Sequence, residues 1–401
     1  MKTKLAILSM AGLLATPAMA EIQINGFANL IAGMTLDDDE SVYGYDSDFN
    51  FDPASVFGLQ VRGDVSDKLS ATAQLVGRGS EDYDADFEWA YMTYMLNNNV
   101  NISAGRMRMP LFKYSASLDI GYSYHWLTPP DSIYGIDFNN IDGIRVDYMN
   151  YSGDWEYGAQ LTMGRVETDT TISGTPAALE LQDVVAVSFE ATRDWFSART
   201  LLARGKTSAA NAEFDGFVDG ISAFGAAIPN ASEVGEGFSV NDDTGTFFEV
   251  AVDIDKYDWF VGAEFTQTEV DGSIIADNKA WYVTAGMRFG KFTPHITYEV
   301  EEADNGTQLG LVAALPSTIA TGSEGLDTAW NGDDTQENPG IYQTAAGIAA
   351  QQELDVSAVT VGLRYDVEPG FALKTDVTWY SDDLNDLNDA TLLKVGVNYT
   401  F

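Results

Sequence analysis

Apolar and polar side chains alternate along most of this chain in segments of about 10 to 13 residues, and the gaps between the segments are alternately short and long. A side-chain period of two is the period of extended chain, so helical bundles are excluded. The short gaps sit at Ser66-Asp67, Asn97-Asn98-Asn99, Ser152-Gly153-Asp154, Arg193-Asp194, Asp255-Lys256, Gly290-Lys291 and Glu368-Pro369-Gly370, all built from turn-forming residues. The long gaps are Thr35 to Pro53, Pro110 to Asn140, Glu167 to Glu180, Lys206 to Asp243 and Glu301 to Glu353, with briefer ones near Ser80, Asp271 and Asp382. Sixteen alternating runs result. An even number brings both ends of the sheet to the short-gap side.

The clearest run is Val359 to Val367, with Val359, Val361, Leu363, Tyr365 and Val367 on one face and Thr360, Gly362, Arg364 and Asp366 on the other. Trp281 to Phe289, Phe292 to Val300 and Leu393 to Phe401 divide in the same way. Soluble sandwiches also alternate, so the aromatic residues decide. Trp155, Tyr157, Trp195, Phe196, Tyr257, Trp259, Phe292 and Phe371 follow the short gaps, and Tyr148, Phe289, Tyr365 and Phe401 stand where strands arrive on that side. Rings gathered at one height form an interfacial girdle. The expected fold is all-β: a transmembrane antiparallel up-and-down barrel of 16 strands, with short turns on one side and long loops on the other. A mean hydropathy of -0.11 agrees with this, because a barrel hides its apolar residues at every second position.

Lys2 and Lys4, the apolar run Leu5 to Ala15, Pro17 and the triplet Ala18-Met19-Ala20 read as a signal peptide (residues 1–20) cleaved before Glu21, leaving residues 21–401 as one barrel domain. The mature chain carries 19 basic against 61 acidic residues, a formal net charge of −42. Such a surface repels nucleic acid. Cysteine is absent, so an exported chain must be closed by something other than disulfides. The two histidines, His125 and His295, offer little for zinc or histidine catalysis, and no cofactor-binding motif occurs.

The final run VGVNYTF, Val395 to Phe401, resembles the carboxy-terminal signature of Gram-negative outer-membrane barrels. Gly105 to Pro130 and Asn140 to Tyr148 resemble the fifth strand, third loop and sixth strand of gammaproteobacterial porins. That resemblance implies a periplasmic side at the short turns and a homotrimer in the outer membrane, in contact with membrane lipid and lipopolysaccharide. It implies assembly by the barrel-assembly machinery through Phe401, and passive diffusion of small hydrophilic solutes. It further implies that Pro110 to Asn140 folds into the lumen as a constriction. The loop's Leu111, Phe112, Ile120, Tyr122, Trp126, Ile133 and Tyr134 would be costly on open display.

A pore selects by its width and by the charges that face its lumen. The polar faces carry Arg62, Arg78, Arg145, Arg288, Arg364, Lys374 and Lys394 against Asp64, Asp147, Glu156, Glu264, Glu299, Asp366 and Asp376. Strict alternation from Val100 turns Arg106 and Arg108 toward lipid, at roughly 2 to 4 kcal/mol each near the midplane. A bulge at Gly105 would instead turn both inward, with Met107 and Met109 outward; the alternative is that the strand is already outside the hydrocarbon by Arg106. The expectation is a basic wall of Arg62, Arg78, Arg106, Arg108 and Arg145 facing a loop acid, with Asp119, Asp131 and Asp137 as candidates. Asp46, Asp48, Asn50 and Asp52 have the spacing of a calcium loop but lack its sixth-position glycine and distal glutamate, so a metal site there is a weak signal. Two other functions fit a barrel: a surface adhesin with a plugged lumen, and a rim hydrolase, which would need a Ser-His or Asp-His set.

Overall fold

The computed structural model describes residues 22–37, 40–136, 138–172, 175–210, 231–304 and 352–401, with isolated positions at 215, 216, 218, 219, 221, 347 and 350. The expected signal peptide and Asp137 lie outside the described residues. Sixteen strands follow one another: β1 (Ile22–Thr35), β2 (Val56–Ser66), β3 (Leu69–Arg78), β4 (Ala85–Asn97), β5 (Val100–Arg108), β6 (Asn140–Ser152), β7 (Trp155–Ile172), β8 (Thr175–Arg193), β9 (Phe196–Ala210), β10 (Asp243–Asp255), β11 (Trp259–Val270), β12 (Asp277–Met287), β13 (Phe292–Asp304), β14 (Leu354–Glu368), β15 (Phe371–Asp382) and β16 (Ala390–Thr400). Each pairs antiparallel with its chain neighbours, and β1 pairs with β16, so the sheet is a closed barrel without edges. Gly26 and Phe401 exchange both backbone hydrogen bonds (2.8 and 3.0 Å) at this seam.

The alternation becomes inside and outside. Along β14 Ala358, Thr360 and Gly362 are buried on the lumen face, while Val361 and Leu363 are exposed on the exterior. Ile24, Val61, Leu202, Val283, Ile296 and Val361 belong to the same exposed outer surface. A soluble protein does not display that much apolar area. The aromatic residues gather on the short-turn side, with Trp155 against Tyr157 and Phe196, Phe292 against Tyr365, and Tyr399 against Phe371 and Phe401.

Two expectations need correction. The segment Glu167 to Glu180 is no loop: β7 continues to Ile172 and β8 starts at Thr175, with Glu167 opposite Glu180 and Ile172 opposite Thr175. Its β-branched residues extend the ladder beyond the apolar band. Gly105 makes no bulge. The register of β5 runs unbroken through it against both β4 and β6. It has φ +131°, and a Cβ there would collide with the Ala90 carbonyl, so glycine meets a backbone constraint instead.

Candidate functional site in the barrel lumen

The main buried apolar cluster among the described residues is inside the barrel. Leu111, Phe112, Trp126, Ile133 and Tyr134 of the third loop pack on Leu201, Ala280 and Tyr282 of the wall, and Met107 and Ile141 join them. Met107 therefore faces the lumen, not lipid, and Arg106 beside it in the strand points outward. Arg106 is held there by Asp142, with two hydrogen bonds of 2.9 Å, and its side chain is 47% exposed. The expected inward turn of Arg106 and outward turn of Met107 and Met109 is thus reversed, because the unbroken ladder preserves the alternation.

Arg108 differs because the strand leaves the wall there. Its guanidinium meets Asp119 and Glu88. Arg78 reaches the same two carboxylates, at 2.8 Å from Asp119 and 3.0 Å from Glu88. Two arginines and two acids close into a neutral, largely buried cluster that pins the loop to β3, β4 and β5. Burial works against charge on Asp119, yet Arg108 and Arg78 outweigh it and hold its carboxyl below the ordinary value. Asn29 of β1 adds a 2.8 Å bond to the Asp119 carbonyl. Of the two described loop acids expected to oppose the arginines, Asp119 is brought to them and Asp131 is not. Asp131 lies across the lumen beside Glu299 and Glu301.

The rest of the loop is tied to the opposite wall. Arg199 donates to the carbonyls of Pro110 and Leu111. Glu264 accepts from the Lys113 amide at 3.0 Å and the Tyr134 hydroxyl at 2.5 Å, and Glu299 accepts from the Ser132 amide at 3.0 Å. Lys374 donates to the carbonyls of Gly121, Tyr124 and Trp126 at 2.6 to 2.8 Å, and Arg364 to those of Tyr122 and Tyr124. Asp376 accepts from the Leu127 amide, and Lys394 bonds the Thr128 hydroxyl. These wall charges satisfy backbone groups that have no ladder of their own. Gly121 fits between Asn29 and Asn398, where a Cβ would collide with both.

The loop divides the lumen into chambers. On the long-loop side a cavity of about 420 Å³ is lined by Asp131, Glu299 and Glu301 with the phenols of Tyr43 and Tyr380; no lysine or arginine is among its described lining residues. On the short-turn side a cavity of about 600 Å³ holds three ion pairs, Lys113 with Asp253, Arg288 with Asp255 and Arg364 with Asp366. Arg288 lies in the turn after β12, not within a strand. Arg62 is half-exposed beside Asp64 at 3.6 Å, and Arg145 is bonded to Asp147 at 3.1 Å over the Tyr91 ring. Every one of the expected wall arginines therefore has its own carboxylate. Asp46 and Asn50 accept bonds from the amides of Asp48 and Asp52, two turns within their own loop, and no three metal-ligating side chains converge among the described residues.

Sequence reasoning overlooked Arg199, Glu88 and Asn29. Arg199 was within reach of it, since it shares the polar face of its strand with Ser197. Glu88 was not, because it is the extra residue of a bulge in β4 between Phe87 and Trp89.

No family model matches the chain, and no curated protein matches it. Solved structures do, at identities that establish fold alone. OmpF of Salmonella typhi, described in complex with daunomycin, aligns with a TM-score of 0.59 and 13% identity over 95% of this chain and 98% of that one. The outer membrane channel DcaP of Acinetobacter baumannii gives 0.57 and 12% over 97% and 99%. The anion-selective porin of Comamonas acidovorans gives 0.53 and 12% over 95% and 100%. The chain has the porin fold, a closed barrel of 16 antiparallel strands.

Proposed function

We propose that this protein is an outer-membrane porin, a water-filled channel for passive diffusion of small hydrophilic solutes and ions. The observation that carries the reading is the third loop, which is drawn into a closed barrel with an apolar exterior and tied by polar contacts to opposite walls, with polar chambers on both sides. Residues 1–20 serve as the cleaved signal, and the short turns face the periplasm. Lipid and lipopolysaccharide surround the apolar exterior, and Phe401 at the seam is the handle for barrel assembly. OmpT of Vibrio cholerae, of the same fold, is described in a trimer form, and a homotrimer is the assembly we assign here.

Because the wall arginines are neutralised by their own acids while acidic side chains, with no lysine or arginine among the described lining residues, surround the long-loop chamber, the channel favours cations. Planar-bilayer recordings test both points. Discrete ohmic steps, with a reversal potential of cation sign in a salt gradient, are expected. A barrel that inserts but does not conduct is the plugged adhesin. A hydrolase is disfavoured by placement: the Asp-His contact of Asp376 with His295 and the hydroxyl that His125 meets, Thr284, are all buried beneath the loop.

A further inference from the structure

The chain's two histidines, far apart in sequence, come together in the lumen with ring centroids 4.7 Å apart. His125 belongs to the third loop and His295 to β13, so the contact joins the loop to the wall. We propose that it is a proton-sensitive latch: with both rings neutral the loop tip, residues 121–128, stays docked on β12 to β16, and protonation of the pair releases it. The proposal rests on the channel reading for its consequence, but not for its chemistry.

The surroundings decide the sign. His295 is 4% exposed, and its Nε2 stands 3.3 Å from Asp376 Oδ1. Gly362 of β14 makes the room, since a Cβ there would collide with both groups. Asp376 simultaneously accepts the Leu127 amide, so the acid that would welcome a proton on His295 is also a tether of the loop. Asp376 already faces Lys374 and Lys394, so even one proton on the pair is only partly balanced. A second is not balanced, because His125 faces charged His295 and the cations Lys374, Arg364 and Arg288. Arg364 and Arg288 are occupied by Asp366 and Asp255, and no other carboxylate is in hydrogen-bond or ion-pair contact with the histidines among the described residues. From β11 and β12 the ring meets only Phe260, at 4.5 Å between centroids, and Thr284, at 3.0 Å.

Burial, then His295 and those cations, hold His125 well below its ordinary 6.5. A depressed basic group stabilises the docked state fully above its ordinary value and loses that contribution as pH falls below it. Release is therefore an acid event, below about pH 6.5. One coupled proton changes the docking equilibrium by up to about tenfold per pH unit.

Two measurements test the latch. With only two histidines, ¹⁵N-histidine labelling gives two ring signals, and the titration needs no conduction. The expected result is one ring titrating below the ordinary value and moving back toward it in His295→Asn. Both rings titrating at about 6.5 and independently would overturn the proposal. In bilayers, steps to higher conductance should become about tenfold more frequent per pH unit between pH 6.5 and 5, while His125→Phe and His295→Asn show only the response of the lumen carboxylates. Identical pH dependence in wild type and both variants would equally sink it. A barrel that never conducts defeats the channel reading, and the NMR titration then decides the latch by itself.

Discussion

Removal of one carboxylate, Asp119→Ala, tests how the lumen is organised. Asp119 is 9% exposed and shared by Arg78 and Arg108, with Glu88 as the other acid. Two positive and two negative charges become two positive and one negative, in a place where water reaches little of the side chains. Taking one partner from a buried pair costs roughly 3 to 5 kcal/mol, chiefly because a charge is left uncompensated. The sixteen-strand ladder does not depend on Asp119, so the cost falls on the docking of the loop around it. The barrel should fold, conductance should rise, and the reversal potential in a potassium chloride gradient should move toward anions by the added lumen charge. Arg106→Ala is the control. Its guanidinium is on the exterior with Asp142, so the same recordings should leave reversal potential unmoved. Wild-type conductance and selectivity in Asp119→Ala, or an equal shift in Arg106→Ala, would refute the reasoning. The pH dependence follows from the lowered carboxyl of Asp119: its contribution is complete above the ordinary 3.8 and fades only as pH falls through the depressed value. At pH 5 this anchor still holds, while the proposed histidine contact is already weakened.

The remaining predictions concern register, seam and loop fit. Val361→Lys puts a charge on the exterior and should cost roughly 2 to 4 kcal/mol of folding in liposomes if near the midplane, whereas Arg62→Glu, half-exposed in the lumen, should fold normally. Thr360 is a poorer lumen comparison, because it is buried and bonded to Thr378 at 2.8 Å. Deleting Phe401 removes both backbone bonds to Gly26 and the ring that covers it, and should lower the folded yield measured by circular dichroism. Gly121→Leu would drive a side chain into Asn29 and Asn398; single-channel conductance should rise with the barrel intact.

The strand count, the alternating sides and the turn-side aromatics were legible because a closed sheet writes its two faces into the sequence at period two, whatever the rest of the chain does. Polar-face reading also picked out Arg364, Lys374 and Lys394 as lumen residues, and the apolar content of Pro110 to Asn140 marked a packed loop. Alternation alone places Arg106 correctly, without a bulge at Gly105, and the molecule lowers the cost of the exterior charge by pairing Arg106 with Asp142 on the next strand. Partners lay beyond a one-dimensional reading. That Asp119 rather than Asp131 meets Arg78 and Arg108, and that His125 meets His295 from 170 positions away, depends on where a loop without periodicity crosses the lumen. The sequence alone determined the wall, since each strand needs only its neighbours and its two faces. The tertiary structure decided the constriction, since an irregular loop finds its backbone partners only where the closed wall happens to offer charges.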